Sequence, residues 1–541
     1  MTQSRPPRWV GPEQPASGET GVHEVLTRLD EPCYILRGPS GLAAAAGGTV
    51  SAHGEHEVVA AAPPLGPERL GSASFLEAHG VRYAYMSGAM ANGIASADLV
   101  IAMARAGFLA SYGAAGLLPE AIEEALERFR VEIPGLPFAC NLIHSPSEER
   151  LERSAVDLFL RHGVRCVEAS AFLGLTPHLV RYRLAGLAEG GPHGVLAHNR
   201  LIAKVSRPEV AELFLRPAPE AMVRALLEAG EITPVQARLA AGVPLADDLT
   251  VEADSGGHTD RRPLPALLPV ILRQRDRVAR ESSWPLRTRV GAAGGIGSPE
   301  AAHAAFAMGA DYVVTGSVNQ SCLEAGTSTA VKALLAQAEI ADFEMAPAAD
   351  MFEMGVELQV LRRGTLFPMR AKQLYELYRA HDGIDDIPAA VRAKLEQQVF
   401  RRSLDGIWQD TVEYFTRRDP DQLARAADNP KRRAALVFRW YLGMASRWAK
   451  IGDPERVADY QIWCGPAMGS FNSWVRGTYL AAPEHRRVAD VAQHLMVGAA
   501  FHHRLSTLRA AGVELSASCA SYQPSPDSYF AEHDDTLRAL R

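Results

Sequence analysis

The sequence predicts an α/β protein built on a closed (β/α)8 TIM barrel, with a helical insertion in the barrel and a helical region after it. Three observations predict this fold. Eight short apolar runs follow one another between residues 81 and 317. Helical stretches separate them. The repeat fills about 250 residues, the usual extent of such a barrel. Buried parallel strands read as continuous apolar runs because helices cover both faces of the sheet. A doubly wound open sheet shares the alternation and is the competing architecture.

The elements follow in chain order. Residues 1–20 are polar and rich in Pro and Gly, which predicts a flexible tail without the apolar core of a secretory signal. Residues 21–80 hold a helical piece, VHEVLTRL, and a strand-like PCYILRG, and form a small N-terminal unit. The barrel occupies 81–340. Its strand candidates are VRYAYMSG (81–88), GFLASYG (107–113), PFACNLI (137–143), RCVEASA (165–171), LIAKVS (201–206), DLTVEAD (248–254), RVGAAGG (289–295) and DYVVTGS (311–317). PEAIEEALERFR (119–130) and SPEAAHAAFAMG (298–309) are helix candidates between them. The fifth unit is oversized. Two or three short helices over about 207–246 either cap the catalytic face or pack outside the barrel. From about residue 340 the strand signal disappears, and 341–541 reads as helical. There Trp440, Tyr441, Trp448, Trp463 and Trp474 read as core. The run Lys431-Arg432-Arg433 reads as a solvated face or as a dock for an acidic carrier protein.

Composition excludes several classes. A net charge of −7 gives no basic footprint for nucleic acid. The six cysteines (33, 140, 166, 322, 464 and 519) form no C-x-x-C pair, which argues against a metal site or a disulfide framework and fits a reducing cytoplasm. No apolar stretch is long enough to span a membrane.

In such a barrel, reactive groups sit where strands end. Strand seven ends in Gly294-Gly295 and strand eight in Gly316-Ser317. Glycine lets the backbone approach a ligand, and a phosphate there accepts N–H bonds at the positive end of a following helix. Ser298-Pro299-Glu300 supplies a helix start beside the first turn. Tight turns alone would also use these glycines, but two adjacent strand ends in register point to phosphate. A dinucleotide fingerprint at 291–297 is rejected, because the spacing is wrong and it lies in the seventh unit. Strand six ends in EADSGGHTD, which projects His258 from a glycine-rich loop, a place for a proton donor. Lys204 lies in an apolar strand of a chain with six lysines against fifty arginines. A buried ammonium needs an anionic or acceptor partner, such as a ring edge; a lysine snorkelling to solvent is the alternative. Asn141, at the end of strand three, offers a donor and an acceptor to a heterocycle.

SGAM (87–90), ACNL (139–142), AKVS (203–206), EADSGGHTD (252–260), AAGGIGSPEAA (292–302) and TGSVNQSCLEAGTS (315–328) together resemble the nitronate monooxygenase-like flavin barrels. DMFEMGVELQVLRRGTLFPMRA (350–371) and YQIWCGPAMGSFNSWV (460–475) narrow the resemblance to the PfaD family, the trans-acting enoyl reductases of polyketide and polyunsaturated fatty acid synthases. The resemblance implies FMN at the barrel mouth, held by Gly88, Ala89, Met90, Asn141, Lys204, Gly256, Gly257, Gly294, Gly295, Gly316 and Ser317. It sets His258 beside the flavin, with Lys204 the second candidate for a catalytic role. It implies NADPH-dependent reduction of an enoyl thioester on an acyl carrier protein within a synthase complex. The insertion and the C-terminal helices would shape an acyl tunnel. A nitronate-oxidising flavin enzyme and a non-catalytic scaffold subunit are the alternatives. The oligomeric state stays open, with a homodimer as the working guess.

Overall fold

All eight apolar runs close into one parallel barrel in the computed structural model, which describes residues 6–38, 41–144, 149–191, 194–282 and 287–526. The strands are β1 (Tyr85–Ser87), β2 (Leu109–Tyr112), β3 (Ala139–Ile143), β4 (Cys166–Ser170), β5 (Arg200–Val205), β6 (Asp248–Glu252), β7 (Arg289–Ala293) and β8 (Val313–Thr315). Each pairs in parallel with its neighbours in sequence, and β8 pairs with β1 to close the ring. The interior is packed side chain, not a pore. Tyr312 bonds Thr250 across it at 2.8 Å and stacks on Phe75. At the N-terminal base, Asp248 opens β6 and takes both His79 (2.9 Å) and Arg289 (2.6 Å). Burial alone would raise the Asp248 pKa, but the Arg289 charge and the hydrogen bonds to Arg289 and His79 outweigh it and hold the carboxyl far below its ordinary range.

Outside the barrel, four expectations are corrected. Residues 6–20 are not a tail. Arg8–Val10 pairs with Thr49–Ser51 and with the start of His56–Ala62, and Trp9 is buried, because its ring needs cover that a flexible arm cannot give. Residues 1–5 lie outside the described residues. These strands belong to an antiparallel six-stranded sheet that also contains Cys33–Gly38. Arg504, from the long helix Val488–Ala510, donates to the carbonyls of Leu26, Arg28, Leu29 and Glu31, so the end of the chain holds its beginning.

The insertion is three helices, Pro208–Leu215, Glu220–Glu228 and Pro234–Ala240. They pack outward. Gln274 bonds Glu212 at 2.7 Å, and Gln236 bonds the Ala185 carbonyl at 2.9 Å, both on the outer ring of helices. The insertion therefore shapes no tunnel over the mouth.

The region after residue 340 is mostly helical, as expected, but its strand signal does not vanish. Phe343–Pro347 pairs with Glu357–Leu361, which in turn pairs with Gly257–His258 in the loop after β6. The two strands after residue 340 are five residues each, too short to stand out among helical sequence. Tyr441, Trp448 and Trp474 are buried, as a core reading requires. The Lys431-Arg432-Arg433 run is not a free docking face. Lys431 caps the carbonyls of Tyr378 and His381, Arg432 binds Glu353 and Gln422, and Arg433 lies over the Trp408 ring. Among the described residues no helix is long and apolar enough to cross a membrane.

Candidate active site

The C-terminal ends of the strands carry the polar and strained residues. Four non-glycine residues among those described have left-handed backbone, and three lie in the loops after β1, β4 and β6: Asn92, Ala171 and Arg261. Strain of this kind persists where the surroundings over-determine it, often at ligand sites.

At one side of the mouth, the turns after β7 and β8 expose backbone. Gly294 (φ +87°) and Gly295 (φ +73°) turn the chain, and a Cβ on Gly294 would meet the Ala253 carbonyl carbon at 2.7 Å. Gly316 caps the short helix Ser317–Gln320, and a Cβ there would meet nothing. The N–H groups of Gly295, Ser317 and Val318 have no backbone carbonyl partner among the described residues. Pro299 begins the next helix as expected. The Gly88 N–H donates to the Thr315 carbonyl at 2.9 Å, so this amide-rich side joins the loop after β1 directly. Asn319 reinforces the seam, donating to Ser87 Oγ at 2.8 Å and to the Thr315 side chain at 3.0 Å.

The other side holds charge. Lys204 Nζ lies 3.1 Å from Glu252 Oε1, which also accepts from Ser255 Oγ at 3.0 Å. The partner expected for this ammonium is thus a carboxylate of the next strand. Burial works against the lysine charge, but Glu252 and Glu168 together outweigh it and hold its pKa above the ordinary value. Asn141 donates to the Glu168 carbonyl and to Ser170 Oγ, at 3.1 and 3.0 Å, which commits its NH2 and leaves its oxygen as the acceptor. Glu168 itself is fully buried; its Oε2 accepts the Ala89 N–H at 2.9 Å, and its Oε1 has no partner. Met90 packs partly buried behind the same loop.

His258 is tethered. Its Nε2 lies 3.1 Å from Asp350 Oδ1. Burial opposes the imidazolium, yet Asp350 and Glu252 outweigh burial and raise its pKa. The Asp350 carboxyl is correspondingly lowered: burial alone would raise it, and the hydrogen bond and charge of His258 prevail.

Gly256 and Gly257 also pack against the C-terminal region. A Cβ on Gly256 would lie 2.6 Å from the Cys464 Cα, and Gly257 pairs with Gln359 in the small sheet. The segment Cys464–Ala467 lies against these turns. Gly465 N donates to Ser317 Oγ at 3.1 Å, and a Cβ on Gly297 would lie 2.0 Å from the Ala467 carbonyl oxygen. The C-terminal region, not the insertion, therefore abuts the mouth. Gly297→Ala is expected to cost about 1–3 kcal/mol, since backbone on both sides cannot yield. Thermal denaturation measures it, and an unchanged Tm would contradict the contact.

Burial raises the thiol pKa values, with Cys464 pushed up to about 12 and Cys33 to about 11, so no thiolate nucleophile is offered at either. Among the described residues no group of His, Cys, Asp and Glu could hold a metal ion.

The set fits the expected FMN at both ends. Unpartnered amides and a helix start suit a phosphate, and a buried carboxylate oxygen without a donor beside Lys204 suits a polar ring edge. Sequence reasoning missed Glu168, Glu252 and Asp350. For Glu168 a signal existed, a lone charge inside an apolar strand, the same one that singled out Lys204.

Comparison with known proteins places the chain among relatives. Residues 74–400 match the nitronate monooxygenase family, and residues 9–64 match the fatty acid synthase subunit PfaD N-terminal domain. Residues 381–460 match the inserted helical domain of [acyl-carrier-protein] S-malonyltransferase. The chain is 48% identical over 491 residues to a polyunsaturated fatty acid synthase subunit of Thraustochytrium sp., covering 90% of this chain and 32% of that protein. It is 44% identical over 444 residues to polyketide biosynthesis protein PksE of Bacillus subtilis, covering 82% of this chain and 58% of that one. It thus spans about a third and somewhat over half of the two. The crystal structure of the enoyl reductase domain of MlnA, from the macrolactin biosynthesis cluster of Bacillus amyloliquefaciens, superposes with a TM-score of 0.78 at 38% identity, covering 81% of this chain and 99% of that one.

Proposed function

The chain belongs to the nitronate monooxygenase family, in its PfaD branch, and from that premise we propose that it is an FMN-dependent enoyl reductase acting on an acyl carrier protein. The observation that carries the reading is the set of groups at the strand ends: amides without backbone partners in the turns after β7 and β8, the Lys204–Glu252 pair, and a tethered histidine on which the Glu252 charge acts. The likeness to an enoyl reductase domain over nearly its whole length supports the reaction. The synthase proteins among the relatives support a synthase complex as the setting. The helical match to an acyl-carrier-protein transferase supports a carrier-bound substrate.

Saturating an enoyl thioester adds a hydride at the β-carbon and a proton at the α-carbon. NADPH is the proposed reductant, and bound FMN would relay its hydride to the β-carbon. The remaining work belongs to the chain. Lys204, held by Glu252, offers fixed positive charge in a site partly shielded from water. His258, whose protonated form the Asp350 hydrogen bond favours against burial, is proposed to deliver the α-proton or to bond the thioester oxygen.

The test is an absorbance spectrum of the purified protein, then anaerobic titration with NADPH and with a crotonyl thioester. Flavin reduced by NADPH and reoxidised by the thioester is the expected result. Oxygen consumption with a nitronate and no NADPH requirement would point instead to a nitronate oxidase. A colourless protein that binds carrier alone would be a scaffold.

The His258–Asp350 pair sets a pH dependence. A histidine with a raised pKa stays protonated to higher pH, so an acid-dependent rate falls only as pH rises through that raised value. Asp350→Asn removes the partner, lowers the His258 pKa and moves the alkaline limb of kcat/KM to lower pH. Superimposable profiles for the two proteins would exclude this coupling.

A further inference from the structure

Among the described residues, Glu168 is the one charged side chain with no exposed surface at the open end of the barrel strands, and it is half satisfied. Its Oε2 holds the Ala89 N–H at 2.9 Å. Its Oε1 accepts nothing, and lies 3.8 Å from where a Cβ of Gly88 would stand. Lys204 feels the Glu168 charge but places its ammonium on Glu252, at 3.1 Å. Asn141 donates to the backbone carbonyl of Glu168, not to its carboxylate. A buried acceptor left without a donor costs about 1–3 kcal/mol, more when charged. Its neighbours Gly88, Ala89, Lys204 and Asn141 are all expected flavin contacts, and Lys204 and Asn141 are expected at the ring end, so the missing donor belongs to what sits there.

We propose that Glu168 is a cofactor-binding residue whose free carboxylate oxygen accepts the ring N–H of the flavin. This rests on the flavin reading above. Oxidised isoalloxazine carries a single ring N–H, at N3 of its pyrimidine edge, and so offers one donor to one orphaned acceptor. The carboxylate would also act on the ring electronically. Glu168 and Glu252 both act on one lysine, and a carboxylate accepting at the ring edge would disfavour electrons added to the ring. Glycine at 88 leaves the approach to Oε1 open, and the Ala89 bond fixes the carboxylate's orientation.

The test uses the full chain stripped of flavin and reconstituted. Glu168→Gln keeps the shape and can still accept from Ala89, but it loses the charge. Its FMN Kd is expected to weaken at least about tenfold, and the midpoint potential of the bound flavin to rise, in a spectroelectrochemical titration. N3-methyl FMN, which lacks the ring N–H, is expected to bind the unaltered protein at least about tenfold more weakly than FMN, and this arm needs no variant to fold. Equal affinity for the two flavins, or a Glu168→Gln variant with unchanged Kd and potential, would overturn the assignment while leaving the enoyl reductase reading in place. An unaltered protein that takes up no FMN at all would overturn both.

Discussion

Lys204→Met is expected to strip the flavin from the purified protein and to lower enoyl reduction by at least ~100-fold. The substitution keeps the stem and removes the ammonium. Glu252 then loses its cation, and Glu168 loses the nearby charge that it acts upon. Breaking a buried pair by deleting one partner costs about 3–5 kcal/mol, because the other charge is left behind uncompensated. At about 1.4 kcal/mol per tenfold, that is a loss of some two to three decades if it falls on cofactor binding. Stability and function can be separated. The double variant Lys204→Met with Glu252→Gln removes both charges, so it should recover most of the lost Tm and none of the flavin. Visible absorbance of the purified proteins, with circular dichroism as the fold control, reads both effects. A Lys204→Met protein that keeps its full flavin complement and its rate would remove Lys204 from the site.

The barrel was legible because its strands are buried on both faces. Val313–Thr315 and Leu109–Tyr112 are buried throughout and read as short apolar runs with few polar side chains among them. The glycine turns after β7 and β8 were legible for the same local reason. What could not be read was pairing across distance. Lys204 announces that it needs an anion, but Glu252 is one strand away and nothing in either segment names the other. His258 and Asp350 are separated by 92 positions and meet only through a short sheet made from loop and C-terminal sequence. The glycines of the EADSGGHTD loop signal a close approach, and Gly256 makes room for Cys464, a contact with a segment some two hundred residues on. A glycine reports that something comes close, not what comes. The same limit explains Lys431, whose charge is spent on two carbonyls of a preceding helix end rather than on solvent.

His258→Asn carries the second large effect. The amide can keep a hydrogen bond to Asp350, but it has no ionisable proton to give. If the α-carbon is protonated from this position, kcat should fall by about 10²–10⁴, the usual contribution of a general acid. The loss should be confined to one half of the cycle. NADPH would still bleach the flavin in an anaerobic stopped-flow experiment at close to the normal rate, while reoxidation by the enoyl thioester would slow. That split distinguishes proton delivery from a collapsed site, in which both halves fail together. It also distinguishes the two roles open to the imidazole. A group that only bonds the thioester oxygen should be largely replaced by the asparagine NH2, leaving a modest defect and a flat pH profile. A proton donor should not be replaceable, and the alkaline limb that Asp350→Asn shifts should be absent from His258→Asn altogether. Normal turnover by His258→Asn would move the proton source elsewhere, to solvent or to a group beyond the rim.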